Sequence, residues 1–209
     1  MREPLLESPM RHLALCLLAL PVFSQAMDEA GFRGDARKLA GSCADRARLL
    51  RPKDAKMLAE YGRAFLAAGE RSKAEECFQM ARVDKPKDAD VHRLIAVAWL
   101  RAGQRGEALK AITEMQVADP KDKNAFTRAA VNLQDFGQAK EADGLMERAW
   151  ILDPSDWQNC VTFGRSCLRK ARRDAAAKWF ARASQAKPQE ERMWNAIALA
   201  YADHGAEPT

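Results

Sequence analysis

Glycine and proline are scarce in this chain of 209 residues, with 11 and 9 copies, and aromatic side chains supply only 7% of it. Few stretches alternate apolar and polar residues with period two, which excludes a fold built on sheets. The three histidines, His12, His92 and His204, have no spaced nucleophile or acid that would make a catalytic set. No phosphate-binding loop and no glycine-rich dinucleotide fingerprint occurs. The five cysteines lack the short spacing of a metal knuckle. A dense Lys/Arg stripe interleaved with aromatics, the footprint of a nucleic-acid binder, is also missing. These absences lead us to expect a non-enzyme, with no cofactor, no metal, no small-molecule substrate and no nucleic-acid partner.

What the chain does contain is helix-forming material: alanine, leucine, lysine, arginine and glutamate dominate. It is 47% hydrophobic and 30% charged, enough apolar content to bury a core. The formal net charge of +5 is mild, and the basic residues are interleaved with acids, as on solvated helix faces. A mild basic excess favours acidic partners.

The first 26 residues differ from the rest. A short polar start is followed by an apolar run from Leu13 to Phe23 and then by Ser24-Gln25-Ala26, the layout of a secretory signal peptide cleaved near Ala26. The run of 11 residues is too short to span a bilayer, which needs about 20. Initiation at Met10, lipid attachment at Cys16, and an apolar helix packed on the rest of the chain are the alternatives. The expected location is the periplasm, with the cytoplasm as the alternative.

Pro52, Pro86, Pro120, Pro154 and Pro188 recur at steps of 34 residues. With repeats set at 55–88, 89–122, 123–156 and 157–190, other positions align as well. Position eight holds Gly62, Ala96, Ala130 and Gly164. Position fifteen holds Gly69, Gly103, Gly137 and Ala171. Position twenty holds Ala74, Ala108, Ala142 and Ala176. Position twenty-four holds Phe78, Ile112, Met146 and Phe180. The pattern predicts two antiparallel helices per repeat. Asp54, Asp88, Asp122 and Asp156 stand where N-caps belong. Gly69, Gly103, Gly137 and Gly205 stand where a first helix ends, and the prolines stop the preceding helix. Small residues at positions eight and twenty let the paired helices approach. Large ones such as Leu58, Tyr61, Phe65 and Phe78 fill the gaps.

This period and the matches Gly62, Phe65, Ala74, Phe78, Ala81 and Pro86 resemble the tetratricopeptide repeat family. The resemblance implies an all-α, right-handed superhelical solenoid of helix hairpins. His92 and Cys160 at position four, Ala129 at seven and Cys167 at eleven depart from the motif and suggest less ideal packing in the middle and late repeats. Residues 35–50 read as a lone second helix, a degenerate half repeat. Residues 191–205 read as a first helix that caps the stack. Trp150, Trp157 and Trp179 lie off the consensus core and are expected to cover joints between repeats. No cysteine pair is placed to bridge. Cys43 and Cys77 occupy equivalent sites on successive helices roughly 8–10 Å apart, and Cys160 and Cys167 lie two turns apart on one helix.

By the same resemblance, positions two, five, nine and twelve of the first helices line an inner groove. The candidates are Arg63, Leu66, Arg93, Val97, Leu100, Thr127, Val131, Gln134, Val161, Arg165 and Leu168, an apolar floor dotted with arginines. Such a groove suits a peptide with apolar anchors and some acids. Ala59 and Arg63 stand where the family's carboxylate clamp has Lys and Asn, so that mode of tail binding is not expected. The implied role is an exported adaptor that binds an envelope-assembly or secretion component, by analogy with small tetratricopeptide proteins of Flp-type pilus assembly. The alternative is a cytoplasmic chaperone of type III secretion translocators.

Overall fold

The computed structural model describes residues 35–51 and 53–204, and among them the chain forms ten α-helices and no strand. They are α1 (Ala36–Leu50), α2 (Ala55–Ala68), α3 (Arg71–Asp84), α4 (Ala89–Arg101), α5 (Arg105–Ala118), α6 (Lys123–Asp135), α7 (Ala139–Leu152), α8 (Trp157–Arg169), α9 (Arg173–Ala186) and α10 (Glu191–His204). The leader at 1–26, with Cys16, and Gly205 at the end of the capping helix lie outside the described residues.

The recurring sequence signals each have a local cause. Lys85-Pro86-Lys87-Asp88 is a turn in which the Asp88 amide donates to the Lys85 carbonyl at 3.2 Å. Proline sits at the second residue of that turn, where its fixed φ belongs. The last residue of the turn is then the N-cap of the next helix. The same bond recurs from Asp122 to Asp119 and from Asp156 to Asp153. The cap carboxylates accept from free amides, Asp54 from Lys56 and Met57, Asp88 from Asp90, Asp122 from Ala125 and Asp156 from Asn159. At the other end of each first helix the chain turns through the left-handed region at Gly69 (φ 85°), Gly103 (71°), Gly137 (75°) and Ala171 (56°). Two crossed bonds close each turn. In the first repeat Glu70 N–H donates to Phe65 and Gly69 N–H to Leu66, at 2.8 and 3.0 Å.

Within each hairpin, α2–α3, α4–α5, α6–α7 and α8–α9, the helices pack closely. Position eight meets position twenty-four across the hairpin. A Cβ on Gly62 would stand 2.2 Å from the Phe78 ring, and one on Gly164 would stand 2.4 Å from Phe180. Where position eight is Ala96 or Ala130, position twenty-four is the slimmer Ile112 or Met146. The departures from the motif are buried like their counterparts: His92 is 5% exposed, Cys160 1%, and Ala129 and Cys167 0%. The four cysteines 43, 77, 160 and 167 are free, with Cys43 exposed and the rest buried.

The stack bends because its two layers touch unequally. Successive first helices pack on one another, α2 on α4, α4 on α6, α6 on α8 and α8 on α10, whereas successive second helices make almost no close backbone approach. They are linked instead by long side chains, Arg82 to Glu114 at 2.8 Å, Lys178 to Glu147 at 2.6 Å and Arg71 to Glu107 at 3.9 Å. A row of hairpins that touch along one edge and splay along the other curves toward the touching edge. The first helices therefore form the inner wall.

Both ends differ from the interior. α1 settles much closer to α2 than α3 does to α4. It has Ala44 where the next second helix has Phe78, and Gly41 and Ala44 are its buried contacts. At the far end α10 buries Met193, Ile197 and Ala200 but leaves Trp194 and Tyr201 about half exposed. Tyr201 stands edge-on to Phe180, with ring centroids 5.4 Å apart.

Candidate functional site

The inner wall is assembled from one face of α2, α4, α6, α8 and α10, and the eleven candidate residues do not share one environment on it. Leu100, Thr127, Gln134, Val161 and Leu168 are buried. Positions five and twelve of α6 and α8, and position twelve of α4, point into the seams between neighbouring first helices and leave the open surface, whereas Leu66 and Arg93 at the same positions stay half-buried. Thr127 spends its hydroxyl on the Lys123 carbonyl at 3.0 Å, and Gln134 accepts from the Arg172 guanidinium at 2.6 Å. Val161 still borders a cavity on the wall. The accessible part is narrower: Arg63, Leu66, Arg93, Val97, Val131 and Arg165, all half-buried.

Three further arginines share this surface. Arg101 and Arg169 occupy position thirteen, one helical turn beyond position nine, and Arg128 occupies position six. A face stripe extended by one turn reaches position thirteen, because residues four apart lie one above the other on a helix. Trp157, expected at a joint between repeats, instead borders the wall cavity. Trp150 and Trp179 do cover an outer joint, between α7 and α9. The Arg182 guanidinium lies 4.3 Å from the Trp150 ring centroid and 4.5 Å from that of Trp179.

The wall's charge is partly cancelled from within. Asp90 accepts from Arg93 at 3.0 Å, lies 3.0 Å from Arg128 and 3.6 Å from Lys56. Burial pushes the Asp90 carboxyl up, but the Arg93 hydrogen bond and charge, then Arg128 and Lys56, hold it below the ordinary range. Arg93 also donates to Asn132 at 3.1 Å, and Arg63 pairs with Glu60 at 2.7 Å. Arg169 is held by Asp135 at 2.9 Å.

Among the described residues, two cavities border the wall. One, of about 360 Å³, lies between α2 and α4 and is bordered by Arg63, Leu66, Ala98 and Arg101. The other, of about 460 Å³, runs along α8 between α6 and α10 and is bordered by Val131, Trp157, Val161, Arg165, Arg169 and Ala196. A larger one, about 570 Å³, lies off the wall between two successive turns, with charges of both signs around it. Among the described residues no cluster of His, Cys, Asp and Glu could hold a metal ion. No described helix is long and apolar enough to cross a membrane.

No family model and no curated protein matches the sequence. Solved structures are similar at low identity. Two structures of MamA align with TM-scores of 0.44. One is 17% identical and covers 80% of this chain and 99% of its own; the other is 15% identical and covers 83% and 88%. YrrB, described as a TPR protein with an unusual peptide-binding site, aligns with a TM-score of 0.42 and 17% identity, covering 78% of this chain and 84% of its own. The helical-hairpin solenoid itself is established by the ten helices and their 34-residue register.

Proposed function

We propose that this chain is a tetratricopeptide-type interaction scaffold that grips a segment of another protein along its inner wall, without catalysing a reaction. The observation that carries the reading is the unequal contact of the two helix layers. It bends the stack so that five first helices face a common hollow, with half-buried Leu66, Val97 and Val131 on its floor. Half-buried apolar side chains flanked by arginines are what an apolar and acidic peptide segment can cover.

The experiment is selection from a displayed library of random peptides with the wild-type chain, with Val97→Glu/Val131→Glu on the wall, and with Lys110→Glu on the outer surface. Enriched peptides should bind the wild type and Lys110→Glu alike and lose the wall variant, while the circular-dichroism helicity of all three is the same. Equal loss in both variants, or in neither, would defeat the reading.

We further propose that the protein is exported and works in envelope assembly, in a pilus or secretion apparatus. The support is the leader-like layout of residues 1–26. Fractionation with sequencing of the mature N-terminus should find a start near residue 27 outside the cytoplasm. An intact Met1 or Met10 in the cytosol would overturn export and favour the chaperone of secretion translocators.

A further inference from the structure

We infer that the cavity along α8 is a subsite for an acidic side chain next to a large apolar one, with the carboxylate seated on Arg165. This rests on the inner-wall reading and names what the wall selects. Arg165 differs from the other half-buried arginines of the wall. Arg63 and Arg93 are each matched to a carboxylate on the preceding turn. Arg165 has no such partner among the described residues, and its Nε is buried without a hydrogen-bond acceptor. The buried Nε lies out of a ligand's reach, but the terminal nitrogens of Arg165 are not buried and have no partner among the described residues, so they are the donors open to a ligand oxygen. The two terminal nitrogens of the guanidinium present paired donors, a geometry a carboxylate accepts.

The remaining walls set the neighbouring residue. Trp157, Val131, Val161 and Ala196 give the cavity apolar sides. Its volume, about 460 Å³, lies within the range of pre-formed binding sites, roughly 300–1,000 Å³. Arg169, one turn along, keeps the local potential positive although Asp135 holds it. The carboxylate belongs to a side chain rather than to a chain end, because the wall continues on both sides of the cavity. Toward the N-terminus lies the second cavity with Arg101, an arginine that is likewise unmatched among the described residues. Arg101 on α4 and Arg165 on α8 are two helix spacings apart, roughly 16–20 Å. An extended segment covers that in about five or six residues. A bound segment with two acids therefore carries them at that interval.

The test uses peptides enriched by the wild-type chain from the displayed library, remade as soluble fluorescent peptides with amidated or free C-termini. Enriched sequences should share an acid beside Leu, Ile, Phe or Trp, and amidation should leave binding intact. Arg165→Gln should weaken binding about tenfold or more, and changing the peptide's acid to its amide should do the same. The two changes together should cost little more than either alone. Arg165→Lys should bind with intermediate strength, and an unchanged melting temperature in each variant shows that the fold is intact. Peptides that need Val97 and Val131 but are indifferent to Arg165→Gln would overturn the subsite and leave the wall reading standing. Acids required only at a free C-terminus would overturn it too. If no peptide is enriched, or binding ignores the Val97→Glu/Val131→Glu change, both readings fall.

Discussion

His92 Nε2 lies 3.0 Å from the main-chain carbonyl oxygen of Pro86. A carbonyl only accepts, so Nε2 carries the hydrogen of this bond. The contact ties the first helix of a repeat to the turn that precedes it. Trp194 makes the same tie six residues after Pro188, its Nε1 donating to that carbonyl at 2.9 Å. Both side chains stand at position four, where the other repeats carry Leu58, Phe126 and Cys160. The apparent departure from the motif is thus a polar side chain that finds an acceptor on the exposed turn before it.

Replacing His92 by Leu keeps the apolar volume and removes that bond. We expect a loss of about 0.5–1.5 kcal/mol in denaturant unfolding, the net scale of one hydrogen bond to a carbonyl on an exposed turn that water can take over. Equal or greater stability of His92→Leu would show that packing alone decides position four.

Gly62→Ala should be destabilising by about 1–3 kcal/mol, because its Cβ would stand 2.2 Å from the fully buried Phe78 ring. Pairing it with Phe78→Ile recreates the Ala96–Ile112 combination of the next repeat. The double variant should then lie above the sum of the two single losses in a mutant cycle. Simple additivity would mean that the two sites are not sized to each other.

Ala171 holds φ 56°, a left-handed conformation that its three counterparts reach as glycine. An L-residue there is strained by about 1–2 kcal/mol, part of which glycine forfeits through its freer unfolded chain. Ala171→Gly should stabilise the chain by about 0.5–1 kcal/mol, read as a higher melting temperature. A fall in melting temperature would contradict this.

Burial pushes the Cys160 thiol up to about 12 and the Cys167 thiol up to about 11. In the unfolded chain both titrate near 8.5. The native state therefore keeps their protons longer. The resulting stability is complete below about pH 8.5 and is lost as pH rises through that value toward 11 and 12. Melting temperatures between pH 7.5 and 10.5 should fall less steeply for Cys160→Ala/Cys167→Ala than for the wild type. Alkylation of the native chain at pH 8 should modify exposed Cys43 and spare Cys160 and Cys167. Matching slopes, or ready labelling of Cys160, would count against the burial argument.

The repeat, the paired helices and their punctuation were legible in the residues because they depend on near neighbours. Asp88 caps the helix that follows it, Pro86 sets the turn before that cap, and Gly103 ends the helix after it. Each of these effects acts within a few residues. The small Gly62 and the large Phe78 were each legible because they recur with the repeat, but that they meet across the hairpin, sixteen residues apart, came only from the packed structure. The surface was less legible. Whether Gln134 is a groove residue or a partner of Arg172 depends on how closely α6 and α8 approach, and no local pattern records that distance. The same holds for α1, whose register marked it as a second helix but whose small Gly41 and Ala44 let it sink onto α2.

The chain's own order of residues thus settled that it folds as stacked helical hairpins, since capping, turn geometry and 34-residue periodicity are short-range or repeating effects. Only the packed structure decided which side chains of the inner wall stay open, which arginines are already matched by Glu60 or Asp90, and that Arg165 is not. Those outcomes depend on the approach of helices from different repeats, and so on the curvature that unequal contact between the two layers imposes.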